Sequence, residues 1–254
     1  MAQWAERAEA ARADHPHQRI AYGPGPREAL DLFTPEGQPE APVAVFLHGG
    51  YWQALDGTAF HGIAPALLSH GVALAIPTYD LAPAVSLGEI LRQVRAATEL
   101  IRDRAGYRPL VFGHSAGGHM AAALLSEGRA GAAVAISGVF DLAPLMETSL
   151  NDALRLDPLM ANALSPIHWP VPDGSSPGGT TLDCWVGAGE SAEFRRQSHA
   201  MADRWGAAGA DTRIVELAGL NHFTVLDPLF GADSPEVARL VELAHETSRE
   251  AAPA

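Results

Sequence analysis

The stretch Gly113-His114-Ser115-Ala116-Gly117 has a Gly-x-Ser-x-Gly pattern and separates two segments of different character. Residues 110–112 are a short apolar run typical of a buried strand, and the small residues after Gly117 favour a helix. A strand that turns directly into a helix leaves no room for side chains at either glycine, and it lifts the serine oxygen to the positive end of the helix. The pattern therefore predicts that Ser115 is a nucleophile.

The alternation of apolar runs with helical runs extends over most of the 254 residues. Strands are predicted at residues 43–47, 72–76, 110–112, 132–136, 181–186 and 212–217. Helices are predicted at residues 60–69, 87–104, 117–125, 192–205 and 235–246, with a short helix at 5–13 in a lead-in segment. This rhythm predicts an α/β fold with a mostly parallel central sheet and helices on both of its faces.

The alternation stops between residues 140 and 175, where four prolines interrupt short helical fragments and no strand pattern is present. We expect this segment to be a small helical lid or cap insertion. A chain of this length can bury one large core, so a single domain over residues 1–254 is expected.

The charge balance and the single cysteine limit the partners and the location. Seventeen basic against thirty acidic side chains give a formal net charge of −13, which would repel a phosphate backbone and argues against nucleic acid as a partner. Cys184 lies in an apolar run and predicts a buried thiol in a reducing compartment. Because neither a signal peptide nor a long apolar span is found, we expect a cytoplasmic protein that does not bind a membrane. A homodimer is possible.

A serine hydroxyl needs a general base and an acid that orients the base, and in this type of arrangement both follow the serine along the chain. Five histidines follow Ser115, and His222 is the one on a loop after the last predicted strand, so it is the expected base. Glu190, on the loop after the preceding strand, is the expected acid. Glu193 is the alternative acid, one turn into the next helix, whereas Asp183 lies inside the strand.

The stretch at residues 48–52, HGGYW, follows the first firm strand and predicts a loop that presents backbone N–H groups to a developing oxyanion. The predicted donors are the N–H groups of Gly50, Tyr51 and Ala116, and the alternative is a simple tight turn. No metal or cofactor is expected, because the histidines on either side of Ser115 have no further ligand spacing around them.

Several separate stretches resemble the kynurenine formamidases, or arylformamidases, a branch of the α/β-hydrolase fold beside the hormone-sensitive-lipase-like esterases. The matching stretches are residues 22–23, 27–28, 30–33, HGGYW at 48–52, GHSAGGH at 113–119, 137–142, 190–194, 197–198 and 221–223. Two departures stand out: Glu190 and Ala192 lie where the family has Asp and Pro. Tyr51 and Trp52 replace the third glycine of the lipase-like HGGG pattern, which favours the formamidase branch.

The resemblance implies a serine hydrolase that cleaves small aryl formamides, such as N-formylkynurenine in tryptophan catabolism, or short-chain esters, through an acyl-enzyme. Tyr51 and Trp52 are expected to narrow the acyl side of the site, and the aryl group is expected to stack on Trp52 or Phe223. The alternative is that these aromatic side chains only pack. The rival functions are a general carboxylesterase and a ligand receptor without catalysis, and a receptor would be expected to have lost a member of the Ser115, Glu190 and His222 set.

Overall fold

The computed structural model describes residues 2–172 and 179–249, so residues 173–175 of the predicted insertion lie outside the described residues. The strands are β1 His17–Ala21, β2 Ala29–Phe33, β3 Val43–Leu47, β4 Ala73–Thr78, β5 Leu110–His114, β6 Ala132–Ile136, β7 Thr181–Gly187 and β8 Asp211–Leu217. The helices are α1 Ala2–Asp14, α2 Ala64–Leu68, α3 Leu87–Ala105, α4 Ala116–Ser126, α5 Asn151–Leu154, α6 Pro158–Ala163, α7 Ala192–Ala207 and α8 Pro235–Arg249.

The strands form one sheet in the order β1-β2-β4-β3-β5-β6-β7-β8 among the described residues. The six strands from β4 to β8 in this order run parallel, while β1 and β2 pair antiparallel at one edge. The loops that follow the carboxyl ends of the parallel strands therefore meet along one edge of the sheet, where α/β folds place their ligand sites. The predicted mostly parallel sheet is confirmed.

Helices cover both faces of the sheet, as the alternation within β3 shows. Val45 and Leu47 pack into one apolar cluster, with α3, α4 and α7, whereas Ala44 and Phe46 pack into a second, with α2 and α8. Successive side chains of a strand point to opposite faces, so continuous apolar runs are what a strand buried on both faces requires. Cys184 is buried in the first cluster, as predicted.

The sequence did not predict β1 and β2, which occupy the segment expected to be only a lead-in. The apolar run of β2 is interrupted by Asp31, and the burial of this charge is explained by its partners. Arg19 donates to both Asp31 oxygens at 3.0 and 3.1 Å, and His61 lies 3.1 Å away. Burial alone would raise the pKa of Asp31, but the hydrogen bond from His61 and the charge of Arg19 hold it below its usual value.

His17 joins Asp31 and His61 in a cluster whose potential ligand atoms all lie within 4.8 Å of one another, a spacing that a metal ion could bridge. The Arg19 guanidinium, however, contacts both oxygens of the carboxylate, and Arg12 lies 3.5 Å from Nδ1 of His61. Two cationic groups at these positions oppose a bound cation, so the cluster is an ion-pair network that ties the antiparallel edge to α1.

Between β6 and β7 the described residues contain short helical segments and no strand. Besides α5 and α6, these are 3₁₀ turns at Ala143–Glu147 and Pro166–His168. The segment is tied to the main body by hydrogen bonds from the His119 ring to the carbonyl of Leu164 and from Arg204 to the carbonyl of Ile167. Its role as a lid stays a prediction. None of the helices in the described part of the chain has the length and apolar character needed to cross a bilayer.

Candidate active site

The turn between β5 and α4 holds Ser115 in a backbone conformation that side chains rarely adopt, with φ 57° and ψ −116°. Its N–H donates to the carbonyl of Ile136 at 2.8 Å, which fastens the turn to the end of β6. Strained residues of this kind persist only where their surroundings hold them, and they cluster at functional sites. The predicted strand-to-helix turn is thus present, with Ser115 at its apex.

The two glycines of the motif are required by crowding of the backbone around this turn. A Cβ atom on Gly113 would lie 2.4 Å from the carbonyl of Gly117, and one on Gly117 would lie 1.9 Å from the carbonyl oxygen of Leu47. Both distances are far below van der Waals contact, so neither position accepts a side chain. The turn therefore packs directly against the carboxyl end of β3, where the HGGYW loop begins.

Glu190 and His222 are joined by a hydrogen bond of 2.7 Å from Nδ1 of the ring to Oε2 of the carboxylate. The other oxygen, Oε1, accepts hydrogen bonds from the Ser137 hydroxyl at 2.5 Å and from the Gly187 N–H at 2.8 Å. Burial pushes the pKa of Glu190 upward, but the hydrogen bonds from His222, Ser137 and Gly187 outweigh it and lower that pKa below its usual value. The buried carboxylate is therefore ionised and faces His222.

The alternative acid has a different environment. The Glu193 carboxylate is about half exposed and bonds to Arg196 at 2.7 and 2.8 Å and to Gln197 at 2.9 Å. The structure thus brings Glu190, and not Glu193, to His222.

His222 lies on the loop after β8, and its position is fixed by neighbours on both sides. Its ring stacks on Phe194 with centroids 4.2 Å apart, and its carbonyl accepts a hydrogen bond of 2.8 Å from Nε2 of His114. Because a carbonyl only accepts, His114 carries its proton on Nε2. Burial, followed by the nearby charge of His222, lowers the pKa of His114 to about 3, so this ring is neutral. The residue before the serine therefore holds the main chain of the histidine.

Within the described part of the chain no hydrogen bond joins the Ser115 hydroxyl to the His222 ring. In unliganded hydrolases this contact is often loose and tightens when a substrate binds. The placement of the two residues is nevertheless set by neighbouring groups, because His114 precedes Ser115 directly.

The HGGYW loop lies against the serine, since a Cβ atom on Gly49 would be 3.1 Å from Cβ of Ser115. Gly50 and Tyr51 both have positive φ, 104° and 50°, so the loop turns sharply directly after β3. Among the described residues, the N–H groups of Gly50, Tyr51 and Ala116 have no hydrogen-bond acceptor. Three predicted donors thus remain unpaired in the vicinity of Ser115.

Comparison with known proteins agrees with this geometry. The BD-FAE family model matches residues 30–142. A kynurenine formamidase from Danio rerio is 27% identical over 221 residues, which cover 83% of this chain and 75% of that protein, and one from Salmo salar is 28% identical over 229 residues, covering 84% and 77%. A solved structure of a candidate thioesterase from Silicibacter sp. TM1040 is 33% identical, has a TM-score of 0.83, and covers 93% of this chain and 90% of that one. The chain has the α/β-hydrolase fold and is similar to kynurenine formamidases over most of its length.

These similarities identify the chain as a hydrolase and agree with the resemblance seen in the sequence. Several of the matching stretches surround the site: HGGYW, GHSAGGH, residues 190–194 and residues 221–223 contain the loop, the turn, the carboxylate and the imidazole described above.

The two aromatic residues that the sequence assigned to substrate binding in this hydrolase have opposite environments. The Trp52 side chain is fully buried and meets the His119 ring edge-on, with centroids 4.9 Å apart. The prediction that Trp52 stacks on substrate is therefore wrong, because its ring packs in the core and offers no free face. Phe223 is 62% exposed and lies edge-on to His222 at 5.8 Å, so it remains available to a ligand.

The sequence did not predict the roles of two polar residues beside the candidate catalytic set. Ser137 donates to Glu190, and His114 donates to the carbonyl of His222. A signal for Ser137 was present, because it is a polar residue directly after an apolar parallel strand, at the edge of the sheet where the site residues gather. The role of His114 has no comparable signal, since it depends on a loop more than a hundred residues away.

Proposed function

We propose that this hydrolase cleaves small aryl formamides of the N-formylkynurenine type, and short-chain aryl esters, through an acyl-enzyme on Ser115. His222 removes the hydroxyl proton as Ser115 attacks the carbonyl carbon, and it returns the proton to the leaving amine or alcohol. Glu190 orients the ring and stabilises the imidazolium. Water then releases the acyl group by the same steps in reverse, and no cofactor is needed.

The observation that supports the proposal best is the hydrogen bond of 2.7 Å between His222 and a Glu190 carboxylate held by two further donors. With Nδ1 committed to Glu190, the other ring nitrogen, Nε2, is left to accept a proton. Serine, histidine and carboxylate follow one another in the chain in the order that this fold uses.

The unpaired N–H groups of Gly50, Tyr51 and Ala116 are the proposed oxyanion hole. Preorganised donors of this kind contribute most where charge develops in the transition state, so they suit the tetrahedral intermediate of acyl transfer. Tyr51 is half-buried, and burial followed by the charge of Glu190 raises its pKa, which indicates that it lies within the field of the catalytic carboxylate. We propose that Tyr51 limits the acyl side and that Phe223 contacts the aryl leaving group.

A general carboxylesterase is the second candidate, because a solved relative at 33% identity is described as a candidate thioesterase, and thioester cleavage uses the same catalytic groups. The two candidates differ in the size of the acyl group and in the ability to cleave an amide.

The test is a substrate panel run on the wild type and on Ser115→Ala. We expect turnover of N-formylkynurenine and formanilide, and for esters of one phenol we expect kcat/KM to fall as the acyl chain lengthens from acetyl to octanoyl. Ser115→Ala should abolish labelling by an organophosphate and lower turnover by about a million-fold. A preference for long acyl chains with no cleavage of any formanilide would reject the formamidase and favour the general esterase, and retained labelling of the variant would remove Ser115 from its role.

The remaining expectations concern location and assembly and stay predictions. These are a cytoplasmic protein with a small-molecule substrate, without nucleic acid or membrane as partners, and a homodimer as an open alternative.

A further inference from the structure

The catalytic carboxylate has an anchor that the sequence did not assign. Oε2 of Glu190 faces His222, while Oε1 accepts hydrogen bonds from the Ser137 hydroxyl and the Gly187 N–H. We infer that Ser137 is a positioning residue of the reaction, acting on His222 only through Glu190. This inference rests on the proposed function.

The two carboxylate oxygens of Glu190 have separate partners, and this matters because the terminal side-chain torsion of a glutamate is weakly restrained. Its carboxylate rotates over a broad range with two-fold symmetry, so one hydrogen bond to His222 does not fix its plane. Two donors on Oε1 hold that plane, and Oε2 is then directed at the ring. Glu190 is also longer by one methylene than the aspartate expected in the family, and the longer side chain has one more torsion to restrain.

The backbone of Ser137 is built to present this hydroxyl. Ser137 is fully buried with φ 50°, a left-handed conformation that favours glycine, and its N–H donates to the carbonyl of Trp185 at 2.7 Å. Glycine would adopt this conformation with less strain. A serine here adds a hydroxyl but raises the conformational energy of the backbone. The hydroxyl has one described partner, the Glu190 carboxylate, and the strain therefore serves that contact.

The same short segment also holds the nucleophile. The carbonyl of Ile136 accepts the Ser115 N–H at 2.8 Å, and the next residue, Ser137, holds Glu190. The end of one strand, β6, thus contacts both the nucleophile and the acid. Loss of the hydroxyl leaves the Ser115 turn in place and leaves Oε1 of Glu190 with the Gly187 N–H alone.

The experiment compares Ser137→Ala and Ser137→Gly with the wild type. We expect kcat to fall roughly 10- to 100-fold in both, with KM changed less than about twofold, because the hydrogen bond is made to an ionised group and acts in the transition state. Ser137→Gly should melt at or above the temperature of Ser137→Ala, because glycine relieves the positive φ. A role in backbone support alone predicts the opposite, with the glycine variant regaining activity along with stability.

A double-mutant cycle with Glu190→Ala separates action through the acid from other effects. In the Glu190→Ala background, Ser137→Ala should change kcat less than about twofold, because the partner is already absent. An equal loss in both backgrounds, or full kcat in Ser137→Gly, would overturn the inference.

The rate of organophosphate labelling of Ser115 gives a readout that does not depend on the substrate. The same pattern in labelling rates supports the role of Ser137 even if formamides prove to be the wrong substrates. Failure of the wild type to label would overturn the proposed function, and this inference with it.

Discussion

At the scale of single residues, Glu190 and Glu193 form a natural comparison, because they are three positions apart and have opposite surroundings. The Glu190 side chain has no exposure and bonds to His222, whereas the Glu193 side chain is 45% exposed and pairs with Arg196. Because both residues are glutamates and only their surroundings differ, a variant at Glu193 is a control for the same variant at Glu190.

We predict that Glu190→Ala lowers kcat about 10⁴-fold, because the imidazolium loses both its orientation and its counter-charge. Glu193→Ala should leave kcat nearly unchanged. Steady-state kinetics on one aryl ester, together with labelling rates of Ser115, check both variants. If the two exchanged behaviour, the acid would be Glu193 and the described hydrogen bond would have no catalytic role.

The order of residues along the chain predicted Ser115, Glu190 and His222, because strand ends in a parallel sheet meet at one edge whatever the details of packing. Trp52 could not be placed in the same way. An aromatic residue in a loop beside the nucleophile packs inward or outward according to neighbours such as His119, which is distant in sequence. Ser137 was visible as a polar residue, but its partner depends on a side-chain torsion.

At the scale of elements, the parallel strands were predictable because burial on both faces requires unbroken apolar runs. The antiparallel pair β1 and β2 was not, since β1 is polar and largely exposed and β2 contains a charge whose partner lies on another element. Similar reasoning explains Asp183, a buried charge inside β7 that pairs with Arg239 of α8.

The pair between β7 and α8 carries a stability prediction. Arg239 contacts the two oxygens of Asp183 at 3.0 and 3.2 Å, and the carboxylate has no exposure. Asp183→Ala leaves a partly buried guanidinium without this partner. We expect the free energy of unfolding to fall by about 2 to 4 kcal/mol, toward the lower end of the range for buried pairs because Arg239 is partly exposed.

Glu242→Ala is the matched control, because Glu242 bonds to the same arginine at 2.7 Å but is 56% exposed. Its loss should cost less than about 1 kcal/mol. Urea unfolding of both variants measures the difference. Equal effects would mean that burial of Asp183 adds nothing to the stability of the pair.

At the scale of the whole molecule, three of the buried histidines, His48, His114 and His119, make the stability of the fold depend on pH. Burial lowers the pKa of His48 and His119 to about 4 and that of His114 to about 3, against 6.5 for an ordinary histidine. Unfolding releases these rings into water, where they take up protons below pH 6.5. The stability they provide is therefore complete above pH 6.5 and is lost as pH falls from 6.5 toward 4.

We predict that these three rings together take up between two and three protons on unfolding near pH 5. Lowering the pH from 7 to 5 should therefore reduce the free energy of unfolding by on the order of 5 kcal/mol. Urea titrations over this range give the slope. His119→Gln retains a donor for the Leu164 carbonyl and should remove nearly one proton from the uptake. An unchanged slope in this variant would show that His119 does not titrate on unfolding.

The position of the proposed catalytic set within the sheet has a consequence for how activity is lost on heating. Ser115 follows β5, a central strand, whereas Glu190 and His222 follow β7 and β8. Among the described residues, β8 is an edge strand and pairs only with β7. A local opening that detaches β8 withdraws the imidazole while β3, β5 and β6 stay paired. The opening of β8, measured by amide exchange, would then set the upper limit of working temperature below the global melting temperature. The outermost strand would govern turnover in a molecule that is otherwise still folded.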